Sequence, residues 1–98
     1  MIKKFSLTKT TKEYFGRTLF QIKAEMSFCS IAKGELGGYV EKEDNLSQEG
    51  NAWVSGNARV YGNAWVSGDA RVSGDAQVSG NAQVSGDARV SGDARVSD

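Results

Sequence analysis

From Asn51 onward, small apolar and polar positions recur in a fixed cycle of six: NAWVSG, NARVYG, NAWVSG, DARVSG, DAQVSG, NAQVSG, DARVSG and DARVSD. Each unit holds Asn or Asp, then Ala, a variable residue, Val, Ser or Tyr, and Gly; only the last Gly is replaced, by Asp98. In an extended segment Ala and Val lie two positions apart and point to one side, while the variable residue and the Ser or Tyr point to the other. The Gly-Asn or Gly-Asp step that follows tolerates the positive φ of a sharp corner. The pattern predicts short strands alternating with corners, with Ala and Val facing inward.

Three such strands close a coil in about 18 residues, each coil rising roughly 4.8 Å, the ordinary spacing between strands. Positions 18 apart then stack, which predicts internal columns Val54-Val72-Val90, Val60-Val78-Val96 and Val66-Val84, with thinner alanine columns at the corners. Antiparallel hairpins are the competing geometry, because Gly-Asn and Gly-Asp also serve two-residue hairpin loops. A stack of hairpins leaves an apolar Val and Ala face with nothing to cover it, whereas a closed prism buries that face against itself. Residues 51–98 are therefore expected to form a three-sided parallel β-solenoid of about three coils, in an all-β chain.

Residues 1–50 are expected to form an N-terminal cap and an irregular first coil. Alternation in Lys4-Phe5-Ser6-Leu7 and in Leu19-Phe20-Gln21-Ile22-Lys23-Ala24 predicts two strands joined as a β-hairpin through Thr10 to Gly16. Gly34, Gly37 and Gly38 then interrupt the chain. Tyr39-Val40 and, six residues on, Asn45-Leu46 resemble an imperfect coil that enters the regular register at Ala52.

Composition narrows the function. The 98 residues carry 12 Lys+Arg and 12 Asp+Glu, so the net charge is zero and nucleic acid is not an expected partner. The zero conceals an asymmetry: residues 1–33 hold seven basic side chains against Glu13 and Glu25, while 34–50 hold five acids against Lys42. A single cysteine, Cys29, excludes an internal disulfide, and with no histidine the chain offers no familiar zinc-ligand set. Cys29 sits between Phe28 and Ile31, where buried packing is expected rather than reactivity. No apolar run approaches the roughly 18 to 20 residues that span a bilayer, and the expected setting is the cytoplasm, the host cytoplasm for a phage-encoded chain.

The stretch FGRTLFQIKA from Phe15, with GELGGYVE from Gly34 and NLSQEGNAWV from Asn45, resembles small hexapeptide-repeat proteins of bacteriophages and prophages. The repeats alone resemble the wider left-handed parallel β-helix superfamily, best known from acyltransferases. Left-handed coiling is what that resemblance implies; the general preference of parallel crossovers is for the opposite hand. It also raises an acyltransferase reading, in which a histidine acts as general base. This chain has no histidine, and exposed corner aspartates lack the burial that would suit a carboxylate to the task.

The corner columns Asn51-Asp69-Asp87 and Asn57-Asp75-Asp93 raise calcium, which takes oxygen ligands, but turn chemistry and nearby arginines account for them. No cofactor or metal is predicted. The outward positions are more informative. Trp53, Tyr61 and Trp65 fall in the first regular coil, whereas Arg71, Gln77, Gln83, Arg89 and Arg95 follow. Either the cap folds over these aromatics, or they form an interface with another copy or a foreign partner. The arginines line up as Arg59-Gln77-Arg95 and Trp53-Arg71-Arg89, a solvated face or a docking surface.

Trp53, Arg59, Tyr61, Trp65, Arg71, Arg89 and Arg95 are therefore the candidate partner or self-association residues. The expected function is a non-enzymatic interaction module of phage or prophage type, one that blocks a host defence complex. A self-assembling virion or scaffold component and a degenerate acyltransferase are the alternatives. A homo-oligomer, dimer or trimer, is expected, with a host protein complex as the foreign partner.

Overall fold

Each repeat folds as a two-residue strand followed by a glycine corner. A computed structural model describes the whole chain except Met1, Ile2, Phe15, Cys29, Ser30, Glu49 and Asp98, so the packing of Cys29 lies outside the described residues. The cap supplies β1 (Phe5–Tyr14), β2 (Arg17–Ala24) and β3 (Leu36–Val40), followed by a 3-10 turn at Glu43–Asn45. The repeats supply β4 (Trp53–Val54), β5 (Arg59–Val60), β6 (Trp65–Val66), β7 (Arg71–Val72), β8 (Gln77–Val78), β9 (Gln83–Val84), β10 (Arg89–Val90) and β11 (Arg95–Val96).

The repeat strands stack in parallel as β4-β7-β10, β5-β8-β11 and β6-β9, each residue over the one 18 positions later. The predicted valine columns are thus present, and the fold is an all-β solenoid of about three turns. Corner glycines from Gly50 to Gly92 have φ between 64° and 73°, a region costly for residues with a Cβ. At Gly50 a Cβ would also stand 2.6 Å from the Gly68 carbonyl oxygen of the next coil.

Backbone amides donate along the axis to the carbonyl 17 residues on: Trp53 to Ala70 at 3.2 Å, Arg59 to Ala76 at 3.0 Å, Trp65 to Ala82 at 3.0 Å. Inside, Val54, Val60, Val66, Val72 and Val78 are wholly buried. In the last coil Ala88 and Ala94 are exposed.

The cap is continuous with the solenoid. The sheet order β1-β2-β3-β5-β8-β11 joins the antiparallel hairpin to one wall of the coil, through parallel pairing of Tyr39 with Arg59 and Val40 with Val60. The hairpin is longer than its alternation indicates: the expected connection from Thr10 to Tyr14 is part of β1, and Tyr14 pairs with Arg17. The first coil is offset by 20 residues, Val40 to Val60 and Leu46 to Val66, before the period settles to 18 at Trp53. Phe5, Ile22, Ala24, Ile31, Val40 and Leu46 share one core with the repeat valines.

Gly37 and Gly38 are required by close approach. A Cβ on Gly37 would lie 2.5 Å from the Val54 carbonyl oxygen and 2.8 Å from the Trp53 ring, and one on Gly38 would lie 2.7 Å from the Ala58 carbonyl oxygen. Gly37→Ala should therefore destabilise the protein by about 2 kcal/mol through overpacking, read as a lower urea midpoint; an unchanged midpoint would show that cap and first coil are not packed this tightly.

Candidate binding faces

Because Val points inward, the residue before it points outward, and the three stacks generate three outer columns: Trp53-Arg71-Arg89, Tyr39-Arg59-Gln77-Arg95 and Trp65-Gln83. The cap treats each differently, and this divides the aromatic residues that sequence groups together.

Trp53 is not a surface residue: only 1% of it is exposed. Phe28 meets its ring edge-on at 5.4 Å, and the side-chain-free backbone of Gly37 lies against it. Its indole N–H has no hydrogen-bond partner, a cost offset by the area the ring buries. Trp53 is thus a core anchor for the cap. The sequence places it outward correctly, but cannot show that Phe28, 25 positions earlier, roofs it.

The second column is roofed by the hairpin tip. Between Leu7 and Thr11, β1 advances four residues while β2 advances two. Such a bulge bends the strand, and Thr8 Oγ1 secures it by donating to the Gln21 carbonyl at 2.8 Å. Beyond the bulge, Tyr14 lies over the Arg59 guanidinium at 4.1 Å, meets Tyr61 edge-on at 5.8 Å, and accepts a hydrogen bond from Gln77 Nε2. Lys12 sits over Tyr39 at 4.7 Å and Arg17 over Tyr61 at 5.5 Å. Gln77 is buried, and Arg59 and Tyr61 are half-buried. Arg95, at the far end of the column, is exposed.

Trp65 differs. It is 43% exposed and lines a concavity of about 500 Å³ with Glu43, Asp44, Ser47, Asn63 and Gln83. Its acids come from the 3-10 turn, and Lys3 pairs with Glu43 at 2.8 Å. The remaining face carries Arg71 and Arg89 between Asp69 and Asp87 on one side and Ser73 and Ser91 on the other, around a shallow groove of about 680 Å³. The pairing of repeat aspartates with repeat arginines expected from sequence is not formed: the ion pairs among the described residues are Lys3–Glu43 and Arg17–Glu41. No three Asp, Glu or Cys side chains among the described residues converge as a metal would need.

Lys4 is the buried cation that sequence reasoning missed. Its Nζ donates to the Ala52 carbonyl at 2.7 Å and stands 5.1 Å from the Phe28 ring centre. Burial lowers its pKa from 10.5 to about 8. No groove reaches it, so the role is structural: it satisfies a carbonyl with no coil beneath. Asn45, also fully buried, does the same for Ala64 at 2.9 Å. Only their position beside the first repeat could have signalled this.

The repeat region matches the YdcK Beta solenoid repeat over residues 52–68, 66–80, 76–88 and 82–98. This chain is a β-solenoid repeat protein. No match was found among curated proteins. No helix among the described residues is long and apolar enough to cross a membrane. In a solenoid the repeat fixes the scaffold, so the outward positions and the cap distinguish one such protein from another.

Two outcomes follow. Trp53→Ala should cost about 3 to 5 kcal/mol of stability by emptying the cap interface, whereas Trp65→Ala should fall within about 0.5 kcal/mol of wild type; equal losses in urea denaturation would contradict this division. For Lys4, the unfolded chain keeps its proton up to about pH 10.5 and the folded chain only to about pH 8, so between them the unfolded state binds more protons and stability rises with pH. In Lys4→Met this contribution should vanish, seen by comparing urea midpoints of both proteins at about pH 7 and about pH 9.5; identical pH slopes would refute it.

Proposed function

We propose that the chain is a non-enzymatic protein-interaction module of the phage and prophage hexapeptide-repeat type, coiled left-handed like the superfamily it resembles, and that it engages its partner through the Trp65 face. The observation that carries this reading is that Trp65 stays exposed while Trp53 and Tyr61 are taken up by the cap. A large aromatic side chain on a rigid sheet, rimmed by groups that hydrogen-bond readily, fits the anchor of a protein interface. Ordering costs little there, because the strand beneath is held on both edges, by Leu46 and by β9.

The resemblance supplies the partner class, a host protein complex such as a defence assembly, met in the host cytoplasm. Such binding blocks by steric occupation and needs no catalytic group. An acyltransferase reading fits less well: with no histidine in the chain, the usual general base near neutral pH is missing.

The test compares wild type with Trp65→Ala as bait in host lysate, with mass spectrometry of what is retained. A host complex held by wild type and lost by at least about tenfold in the variant, at unchanged melting temperature, is the expected result. Equal retention by both would remove Trp65 from the interface, and acetyl transfer from acetyl-CoA to any acceptor would overturn the non-enzymatic reading.

A further inference from the structure

The third face poses a problem that neither the fold nor the proposed function resolves. Asp69 and Asp87 form one exposed column, Arg71 and Arg89 the next, and Ser73 and Ser91 the third, around the groove of about 680 Å³. Arg89, Asp69 and Asp87 are exposed, and no ion pair joins either aspartate to a repeat arginine. The columns stand two residues apart along the strand, roughly 6.7 Å, and the rows one coil apart, roughly 4.8 Å. The result is a lattice of unmatched opposite charges on a wall held rigid by the axial ladder.

We infer that this face pairs with the same face of a second copy, about a two-fold axis running parallel to the solenoid between the aspartate and arginine columns. The charge pattern selects that operator. Rotation about an axis along the columns exchanges them, so the aspartates of one copy face the arginines of the other at the same coil height. Rotation about an axis across the columns leaves each opposite itself, Asp against Asp and Arg against Arg, which is repulsive. The other walls lack this self-complementarity: the hairpin tip roofs the Arg59-Gln77 column, and the Trp65-Gln83 column has no arginine.

The patch is about four residues wide and three coils tall, roughly 13 by 14 Å. That is far below the about 800 Å² per partner of a standard stable interface. The dimer is therefore weak, reversible and salt-sensitive, populated at high micromolar to millimolar concentration.

Sedimentation equilibrium on the full chain tests this with two charge-reversed variants, Asp69→Arg with Asp87→Arg, and Arg71→Asp with Arg89→Asp. Wild type should dimerise at about 1 mM in low salt and weaken at least tenfold once the Debye length falls to about 3 Å near 1 M. Each variant alone should be monomeric, because its face is now of one sign, and an equimolar mixture should form a heterodimer tighter than wild type. A monomeric wild type, or dimers that both variants leave intact, would overturn the inference. Should a variant fail to fold, concentration-dependent amide shifts in wild type decide: shifts confined to 69–73 and 87–91 support it, and shifts at Trp65 or only along the last coil refute it.

Discussion

Every level of this structure depends on the axial hydrogen-bond ladder, in which the amide of one coil donates to the carbonyl 17 residues later. Because the bond runs between coils, each coil must have the same length, and an insertion in one would shift the register of the next. Glycine corners follow, since only a residue free to adopt positive φ turns the chain within its allotted positions without striking the corner above. The absence of proline follows too, as each missing N–H would break a rung.

The same constraint explains the cap. A first coil has carbonyls with no coil beneath, and a buried carbonyl without a donor is costly. Ala52, Ala58 and Ala64 occupy equivalent positions six residues apart, and each receives a different donor: the ammonium of Lys4, the backbone amide of Tyr39 and the carboxamide of Asn45. The two extra residues of the first coil fall between Leu46 and Trp53, where Gln48 Oε1 accepts from the amides of Lys4 and Phe5. The irregular register thus anchors the start of β1, and β1 then carries the hairpin tip across an outer wall.

That route distributes chemistry over three otherwise similar walls. One is roofed through Tyr14, one loses its tryptophan to Phe28, and one keeps an exposed tryptophan. A repeat that by itself would present near-identical sides becomes a particle with distinct faces, a requirement for binding one partner in one orientation. The interior gains nothing comparable: valine and alanine at every rung stabilise the coil without distinguishing one site from another.

The sequence by itself determined the solenoid, because a six-residue period with Ala and Val two apart and glycine at each corner is a local pattern that closes on itself. The valine columns, the outward columns and the pairing of Val40 with Val60 were legible for that reason, as was the hairpin's existence, though not its length. Which outward residues are on the surface was not legible. Trp53 and Trp65 occupy identical NAWVSG units, and only the packing of Phe28 and Gly37 against one of them separates core from surface. Lys4 and Asn45 were likewise invisible as caps, because an unpaired carbonyl exists only once the coil is built. Whether a repeat aspartate pairs with the arginine two positions on was decided by side-chain geometry across a corner, and there the structure leaves both charges facing outward.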